Sequence, residues 1–275
     1  MIQRIQVLAS YFLRRLVGSV SGALYLLFTL GYWLVLFNPQ QLTPDTDYFI
    51  LVAGLFGPIA AFLITLTFSN WANQAINYPF LVRLPSRVEY LTALFISALV
   101  TTMTLQLILA ILAIVFHGPD LSIFQFLEIP PLWLAPTVLA ITLAMHATDL
   151  VSSGWSRVYI FGLLALFLFG QNISNEGLIR GLNGLSRYAS NQGWFSAVNT
   201  VSSWTNSLAN SPANLFTRIT NALFWPFDAI ARAILNGNFT GTQALAPAIL
   251  MLYATILFIL AADLFVNKDL ILTEA

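Results

Sequence analysis

The chain has 275 residues, of which 58% are hydrophobic and 8% charged, and its formal net charge is zero. A water-soluble domain carries about 25% charged residues, so the composition excludes an ordinary soluble domain, and the neutral balance leaves no electrostatic footprint for nucleic acid. The absence of cysteine excludes disulfides, thiolate metal sites and cysteine nucleophiles.

Long apolar runs are the main feature of the chain. A helix needs roughly 20 apolar residues to cross the hydrocarbon core of a membrane. The runs predict an all-α polytopic membrane protein that forms a single transmembrane domain over residues 1–275. Its six transmembrane helices are expected at about 16–37, 48–69, 89–116, 132–151, 158–171 and 244–266.

The segment 1–15 precedes the first run. Apolar side chains recur from there into the first run at helical spacing, with polar residues opposite; they are Ile2, Ile5, Ala9, Phe12, Leu13 and Leu16. The pattern predicts an N-terminal interfacial amphipathic helix that lies in the membrane interface. The alternative is a plain extension of the first span. The apolar stretch that follows is too long for a cleaved signal peptide and lacks a small-residue cleavage site.

The segment 172–243 is expected to be an extracytoplasmic loop with short amphipathic helices. Its first part is rich in Asn, Ser and Gly, which favours irregular structure. A helical pattern follows, in which Ser211 can cap the helix and Pro212 suits its first position. Pro226 is expected to kink or split that helix.

Basic residues occur in every second short segment between the predicted spans, so they all lie on one side of the membrane. They are Arg4, Arg14, Arg15, Arg83, Arg87, Arg157 and Lys268. The two connectors on the other side carry no Lys or Arg, and the first of them contains Asp45 and Asp47. The positive-inside rule therefore predicts that both termini are cytoplasmic. We expect an integral protein of a bacterial inner membrane.

No catalytic constellation is found along the chain. A phosphate-binding loop needs a Gly-rich turn that ends in Lys-Ser or Lys-Thr, whereas the one lysine, Lys268, is followed by aspartate. We therefore expect no enzyme activity and no cofactor in this chain itself.

Four polar residues within the predicted spans are possible functional sites: Gln106, His146, Asp149 and Asp263. His146 and Asp149 are three residues apart and would share a helix face. Ionisable groups within a membrane are costly and often functional. A proton or ion relay, a pigment bound to the histidine, and ordinary hydrogen bonds between helices all remain open. Gln106 could line a path or bridge two helices.

The connector LVRLPSRVEYL stands out because two arginines and a proline interrupt apolar sequence. Pro85 disfavours helix at Leu84. Ser86 can cap the next helix, and Glu89 three residues later would complete a capping box. The preceding segment NWANQAINYPFLVR predicts a short helix along the cytoplasmic face.

The stretch RLPSRVEYLTALF resembles the cytoplasmic connector between the second and third spans of ABC transporter permeases of the type-2 export class. The matching residues are Leu84, Pro85, Ser86, Arg87, Glu89, Tyr90 and Leu91. This chain has one residue fewer between Pro85 and Ser86, and Val88 replaces a second basic residue. The tail DLFVNKDLILTE is similar to the closing pattern of the same family, at Phe265, Lys268, Asp269 and Leu270.

The resemblance implies a permease subunit of an ATP-driven exporter. It implies a dimer with a second permease, identical or related, and two separate ABC ATPase subunits that hold ATP and Mg. The 70–88 connector, with Arg83, Leu84, Pro85, Ser86, Arg87 and Glu89, would dock into an ATPase subunit. Cargo would pass along the permease–permease interface, and the apolar spans favour lipid-like cargo.

Two alternatives accompany this interpretation. Arg83 and Arg87 could be ordinary positive-inside anchors, as in any cytoplasmic connector. The whole chain could also be a non-transporting membrane subunit of a respiratory or photosynthetic complex. In that case the outer loop, with Trp194 and Trp204, would be a docking surface for protein partners.

Overall fold

The computed structural model describes most of the chain and shows it to be helical. The described residues are 1–37, 45–116, 118–152, 158, 161–162, 182–187, 190–209, 215–235 and 241–268. This confirms the predicted all-α class. The predicted fifth span, 158–171, lies outside the described residues apart from 158, 161 and 162.

The helices follow one another in this order: α1 Ile2–Val17, α2 Val20–Leu36, α3 Thr46–Ala72, α4 Tyr78–Arg83, α5 Arg87–Val115, α6 Ile123–His146, α7 Phe195–Ala209, α8 Leu215–Leu235 and α9 Ala246–Asn267. Single 3₁₀ turns at Ala75–Asn77 and Gln243–Leu245 precede α4 and α9. The chain divides into two compact units. One comprises Met1–Arg157 with Pro226–Ala275, and the other is Val158–Trp225.

Among the described residues, four helices are long and apolar enough to cross a membrane, namely α3, α5, α6 and α9. The bent pair of α1 and α2 would make a fifth if it forms one span. Large apolar side chains such as Leu107 and Leu252 are exposed on these helices. Helices that are apolar on their outer as well as their inner faces are typical of membrane spans. The structure is compatible with an integral membrane protein.

A sharp bend of 72° separates α1 from α2. Ser19 caps α2, because its hydroxyl oxygen accepts a hydrogen bond from the Gly22 N–H at 3.1 Å. The same hydroxyl donates to Leu16 O at 2.8 Å. A Cβ atom on Gly22 would overlap Leu16 O, so only glycine allows the two backbones to approach this closely.

The N-terminal segment forms the helix α1, and its apolar face is buried against protein. The buried residues are Ile5, Leu8, Ala9, Phe12 and Leu16. Phe12 packs against Tyr90 of α5 and Phe68 of α3, with ring centroids 5.6 and 6.0 Å apart. The apolar stripe that predicted contact with the membrane interface is thus largely used for contact with α5 and α3.

The helices α3, α5 and α6 meet around Gly57, Gln106 and Thr137, and we call this contact the α3–α5–α6 seam. Gln106 and Thr137 are buried. A Cβ on Gly57 would lie 2.6 Å from Thr137 Oγ1 and 2.7 Å from Gln106 Oε1. Small residues let helix backbones approach closely in membrane proteins, where apolar burial does not drive helices together.

The helix α6 differs from the predicted span at 132–151. It begins at Ile123, within the predicted loop, and ends at His146. Ser122 and Gln125 form a capping box that satisfies the first turn. The helix continues through Pro130, Pro131 and Pro136. Each proline removes only one helical hydrogen bond, and transmembrane helices tolerate such losses.

The helix α8 also passes through a proline. It is continuous over Leu215–Leu235 with Pro226 inside it, so of the predicted kink or split the split is wrong and the kink stays a prediction. Asp228 and Arg232, one turn apart, form an ion pair of 3.0 Å just after the proline. The predicted cap at Ser211 and Pro212 lies outside the described residues.

Candidate functional site at the basic end

Several helix ends of the first unit gather at one end, where α3, α6 and α9 finish and α5 begins. Arg87 Nη1 at the start of α5 donates to Lys268 O, just after α9, at 2.9 Å. A cavity of about 180 Å³ is shared by the last turn of α3 and the turn after α6. We call this the basic end, because its basic residues are Arg4, Arg14, Arg15, Arg83, Arg87 and Lys268.

The connector between α3 and α5 lies at the basic end. The helix α3 ends at Ala72, the 3₁₀ turn and α4 follow, and α4 ends at Arg83. The predicted short helix is therefore present. Leu84 has extended φ and ψ angles of −80° and 134°, as expected for a residue before proline.

The connector is fixed to the helices beneath it through Asn77 and Leu81. Asn77 is buried, and its Nδ2 donates to Trp71 O at 2.6 Å. Tyr11 of α1 donates its hydroxyl hydrogen to Asn77 Oδ1 at 3.3 Å. Leu81 is 4% exposed. These contacts attach the inner face of the connector to the bundle.

The outer face of the connector is apolar and exposed. Ile76 is 66% exposed, Phe80 43% and Val82 63%. Arg83 and Pro85 next to them are exposed as well. We call Ile76, Phe80, Val82, Arg83 and Pro85 the connector face. It combines apolar side chains with one positive charge at the end of the bundle where the basic residues collect.

Two predicted connector residues, Ser86 and Arg87, stabilise the start of α5. Ser86 is the N-cap, and its hydroxyl oxygen accepts from Val88 N at 3.3 Å. Arg87 Nη1 donates to Lys268 O and, at 3.2 Å, to Val266 O. Arg87 therefore binds the end of α9, where cationic groups complement the helix dipole.

Glu89 does not form the predicted capping box. Its carboxylate is held by Arg4 of α1, with Nε to Oε2 at 2.8 Å and Nη2 to Oε1 at 2.9 Å. Such a two-point pair fixes orientation as well as distance. The residue is 5% exposed. Glu89 is thus an anchor for α1, and a carboxylate buried in this pair presents little surface to a partner.

Arg15 fixes the other end of α1 to α3. Its Nη2 donates to Gln74 Oε1 at 2.7 Å, and its guanidinium lies 5.1 Å from the centre of the Trp71 ring. Arginine over tryptophan is a favourable cation–π arrangement. The helix α1 is therefore attached at both of its ends, through Arg4 and Arg15, to the segments that border the connector.

Gln106 bridges α5 and α3, which is one of the two roles predicted for it. Its Nε2 donates to Ala53 O of α3 at 2.9 Å, and the residue is 2% exposed. Its Oε1 is buried without a hydrogen-bond partner. The residue therefore lies within the α3–α5–α6 seam.

His146 joins α6 to α9. Its Nε2 lies 2.9 Å from Leu257 O, and the residue is buried. Its Nδ1 is buried without a partner. The hydrogen bond between helices is the role that the structure shows for this histidine.

Asp149 and Asp263 are exposed, at the basic end. Because α6 ends at His146, the expected shared helix face of His146 and Asp149 is wrong. Lys268 Nζ donates to the backbone oxygen of Asp149. Asp263 accepts from Asn267 Nδ2 one turn later, at 3.2 Å. The structure does not bring Gln106, His146, Asp149 and Asp263 together.

The residues that hold the connector were not predicted from the sequence. In the sequence, Arg4 and Arg15 serve only as positive charges that predict the orientation of the spans. Gln74 and Asn77 are ordinary polar residues in a short segment. A short polar run after a long apolar one, NWANQAIN, is the only signal that marks the second pair. The partners across the fold carry no sequence signal.

Comparison of the chain with protein-family models, with curated proteins and with solved structures finds no match. Within the part of the chain that the structure describes, no group of three or more His, Cys, Asp or Glu residues is placed to hold a metal ion.

Proposed function

We propose that the protein is the permease subunit of an ATP-driven exporter of the ABC type-2 class. The observation that carries the proposal is the connector face. Ile76, Phe80 and Val82 are exposed on a short segment at the basic end, while Leu81 and Asn77 hold the segment to the bundle. An exposed apolar patch rimmed by polar residues is typical of a protein–protein contact.

The partner that suits this face is a soluble ATPase subunit. The face lies at a helix end rather than along the apolar flank of the bundle, so a partner outside the hydrocarbon can reach it. The partner would hold ATP and Mg, and it would act on the permease by moving the connector. Because the connector joins α3 and α5 directly, such a movement would reach two spans as near-rigid bodies.

The direction of the described helices supports the six-span layout of this proposal. The helix α6 ends at the basic end, as α9 does. The helix α9 therefore begins at the opposite end from the one at which α6 stops. A further span between α6 and α9 would connect these two ends. Arg4 and Lys268 then lie on the same side, which we propose is the cytoplasm of a bacterial cell.

The remaining parts of the proposal concern the assembly. A second permease would complete the translocation path, and membrane lipid would surround the dimer. The exposed apolar spans and the lack of a polar cluster among the described intramembrane residues favour lipid-like cargo. No nucleic-acid partner is proposed.

The test is co-purification of the tagged protein from its native membrane. We expect a P-loop ATPase in stoichiometric amount and ATP hydrolysis by the purified complex. The double substitution Phe80→Ser/Val82→Ser should abolish capture of the ATPase and leave membrane insertion and yield unchanged, because both side chains are exposed.

The matched control is Ile2→Ser/Val17→Ser, which removes comparable exposed apolar surface from α1. It should leave ATPase capture intact. Capture of electron-transfer subunits with no ATPase would overturn the exporter proposal. Equal loss of the ATPase in the control would show that the connector face has no specific role.

One observation favours the second candidate, a non-transporting subunit of a larger membrane complex. In the unit Val158–Trp225, Trp194, Phe195 and Trp204 are all exposed. Exposed aromatic residues are enriched at protein interfaces. Under this alternative, Trp194→Ser/Trp204→Ser would release the partner proteins, whereas the connector variant would not.

A further inference from the structure

The polar face of α1 forms an open groove of about 840 Å³. Its polar lining consists of Gln3, Gln6, Ser10, Tyr11, Arg14 and Arg15. These residues lie opposite the face that α1 buries against α5 and α3. The groove borders the connector face at Tyr11, whose ring centre lies 5.5 Å from that of Phe80.

Arg15 is held in place at the wall of this groove by neutral partners only. Gln74 accepts one hydrogen bond, and Trp71 contacts the guanidinium through its ring. The Nη1 atom is buried and has no acceptor. A buried donor without a partner is costly, and more so on a charged group. Among the described residues, Arg15 Nη1 therefore has no acceptor, and the positive charge of Arg15 has no anionic partner.

Arg14 adds a second uncompensated charge beside it. The residue is exposed, and no carboxylate of the described chain lies within ion-pair distance of it. None of the described residues that line the groove is acidic. Arg4 on the same helix offers the contrast, because it is paired with Glu89. In the described part of the chain, the two arginines at the end of α1 thus have no anionic partner.

Exposed apolar residues continue from the groove onto α2. Val7 lines the groove itself. Val17 and Val20 flank the bend and are 85% and 78% exposed, and Leu24 and Leu27 extend the exposed surface along α2. A ligand that carries an anionic group and an apolar chain would match both parts of this surface.

We infer that the groove on α1 binds the phosphate of an anionic phospholipid headgroup between Arg14 and Arg15, with its acyl chains along α2. Ser10 and Gln6 supply neutral donors on the same helix face. Nη1 is buried in the structure, so side chains beside it must shift to open it. Exposed side chains change rotamer in picoseconds to nanoseconds. The inference does not depend on the proposed exporter function.

The experiment uses the full-length protein, purified in detergent and titrated with either phosphatidylglycerol or phosphatidylcholine. Bound lipid is counted by native mass spectrometry. We expect phosphatidylglycerol to bind in preference to phosphatidylcholine. Arg14→Gln should weaken its apparent affinity about tenfold, the loss expected for a charge-assisted hydrogen bond. Arg15→Lys keeps the charge and should weaken it as well, because lysine cannot reproduce the guanidinium fork.

The matched control is Arg83→Gln, since Arg83 is also an exposed arginine of the basic end and its removal changes net charge equally. It should leave lipid binding unchanged. Equal weakening by Arg83→Gln would overturn the inference in favour of general electrostatics, and so would equal binding of the two lipids.

A third arm distinguishes a lipid from a soluble anion. Millimolar inorganic phosphate should not displace phosphatidylglycerol, because the acyl chains contribute to the affinity of the lipid. Displacement by phosphate would overturn the assignment to a lipid. Thermal unfolding of each variant, followed by tryptophan fluorescence, shows that the exposed substitution Arg14→Gln leaves the fold intact.

Discussion

The α3–α5–α6 seam and the basic end use polar side chains in opposite ways. In the seam, Gln106 makes a single hydrogen bond to the backbone of α3. The helices can approach closely there because Gly57 has no side chain. At the basic end, Arg4, Arg15 and Arg87 each bind a different segment through two contacts.

The difference follows from the surroundings of each region. In the interior of a membrane bundle no water can replace a lost hydrogen bond, so close packing determines which helices meet. At the helix ends, long charged side chains can reach across segments while part of each stays in water. Packing therefore fixes the spans, and contacts made by arginine side chains fix the segments around them.

The largest expected effect is in the seam. Gly57→Ala places a methyl group within 2.6–2.9 Å of Thr137 and Gln106, and overpacking of this kind costs about 1–3 kcal/mol. We expect that loss in the free energy of unfolding, measured by denaturant titration in detergent micelles.

Gly31→Ala is the control for Gly57→Ala, because nothing lies within 4 Å of a Cβ at Gly31. Alanine is a better helix former than glycine, so Gly31→Ala should be neutral or stabilising by up to about 1 kcal/mol. Similar losses in both variants would show that the seam is not tightly packed.

The second prediction concerns the basic end. Arg4→Gln leaves the carboxylate of Glu89 without its partner and should loosen α1 from α5. The expected result is faster proteolysis within residues 1–18 and a lower melting temperature. The exchange Arg4→Glu/Glu89→Arg should restore much of the resistance to proteolysis and of the melting temperature. If the exchanged pair is no better than Arg4→Gln alone, the ion pair is not what holds α1.

The smallest effect is expected for Gln106→Leu. The substitution removes one hydrogen bond to Ala53 O, and it also removes the buried Oε1 that has no partner. These two contributions oppose each other, so the free energy of unfolding should change by less than about 1 kcal/mol. Under the proposed exporter function, loss of transport without loss of stability would instead favour a role for Gln106 in the translocation path.

The apolar runs predicted the helices α3, α5 and α9 to within three residues at each end, because run length and a polar boundary suffice in a membrane. The start of α5 followed from Pro85 and Ser86, whose effects are local. The start of α6 was not predicted, since its prolines suggested a loop. The capping box of Ser122 and Gln125 was the local signal that was missed.

The candidate site was predicted in part. The connector and its short helix followed from local sequence, whereas the partners of Glu89, Arg15 and Arg87 did not. Each of their hydrogen-bond partners lies 59 or more residues away along the chain. Any of several carboxylates and carbonyls would satisfy an arginine equally well. The choice among them depends on which helix ends the packing brings together.

The sequence by itself determined that this chain is helical and apolar, and where most of its long helices begin and end, because these properties depend on composition and on neighbours within a turn. Only the tertiary structure decided what each polar residue does. It assigned Glu89 to Arg4, left Arg15 with an unfilled donor, and exposed Phe80 while burying Leu81. These outcomes depend on the distances between segments that are remote in the chain.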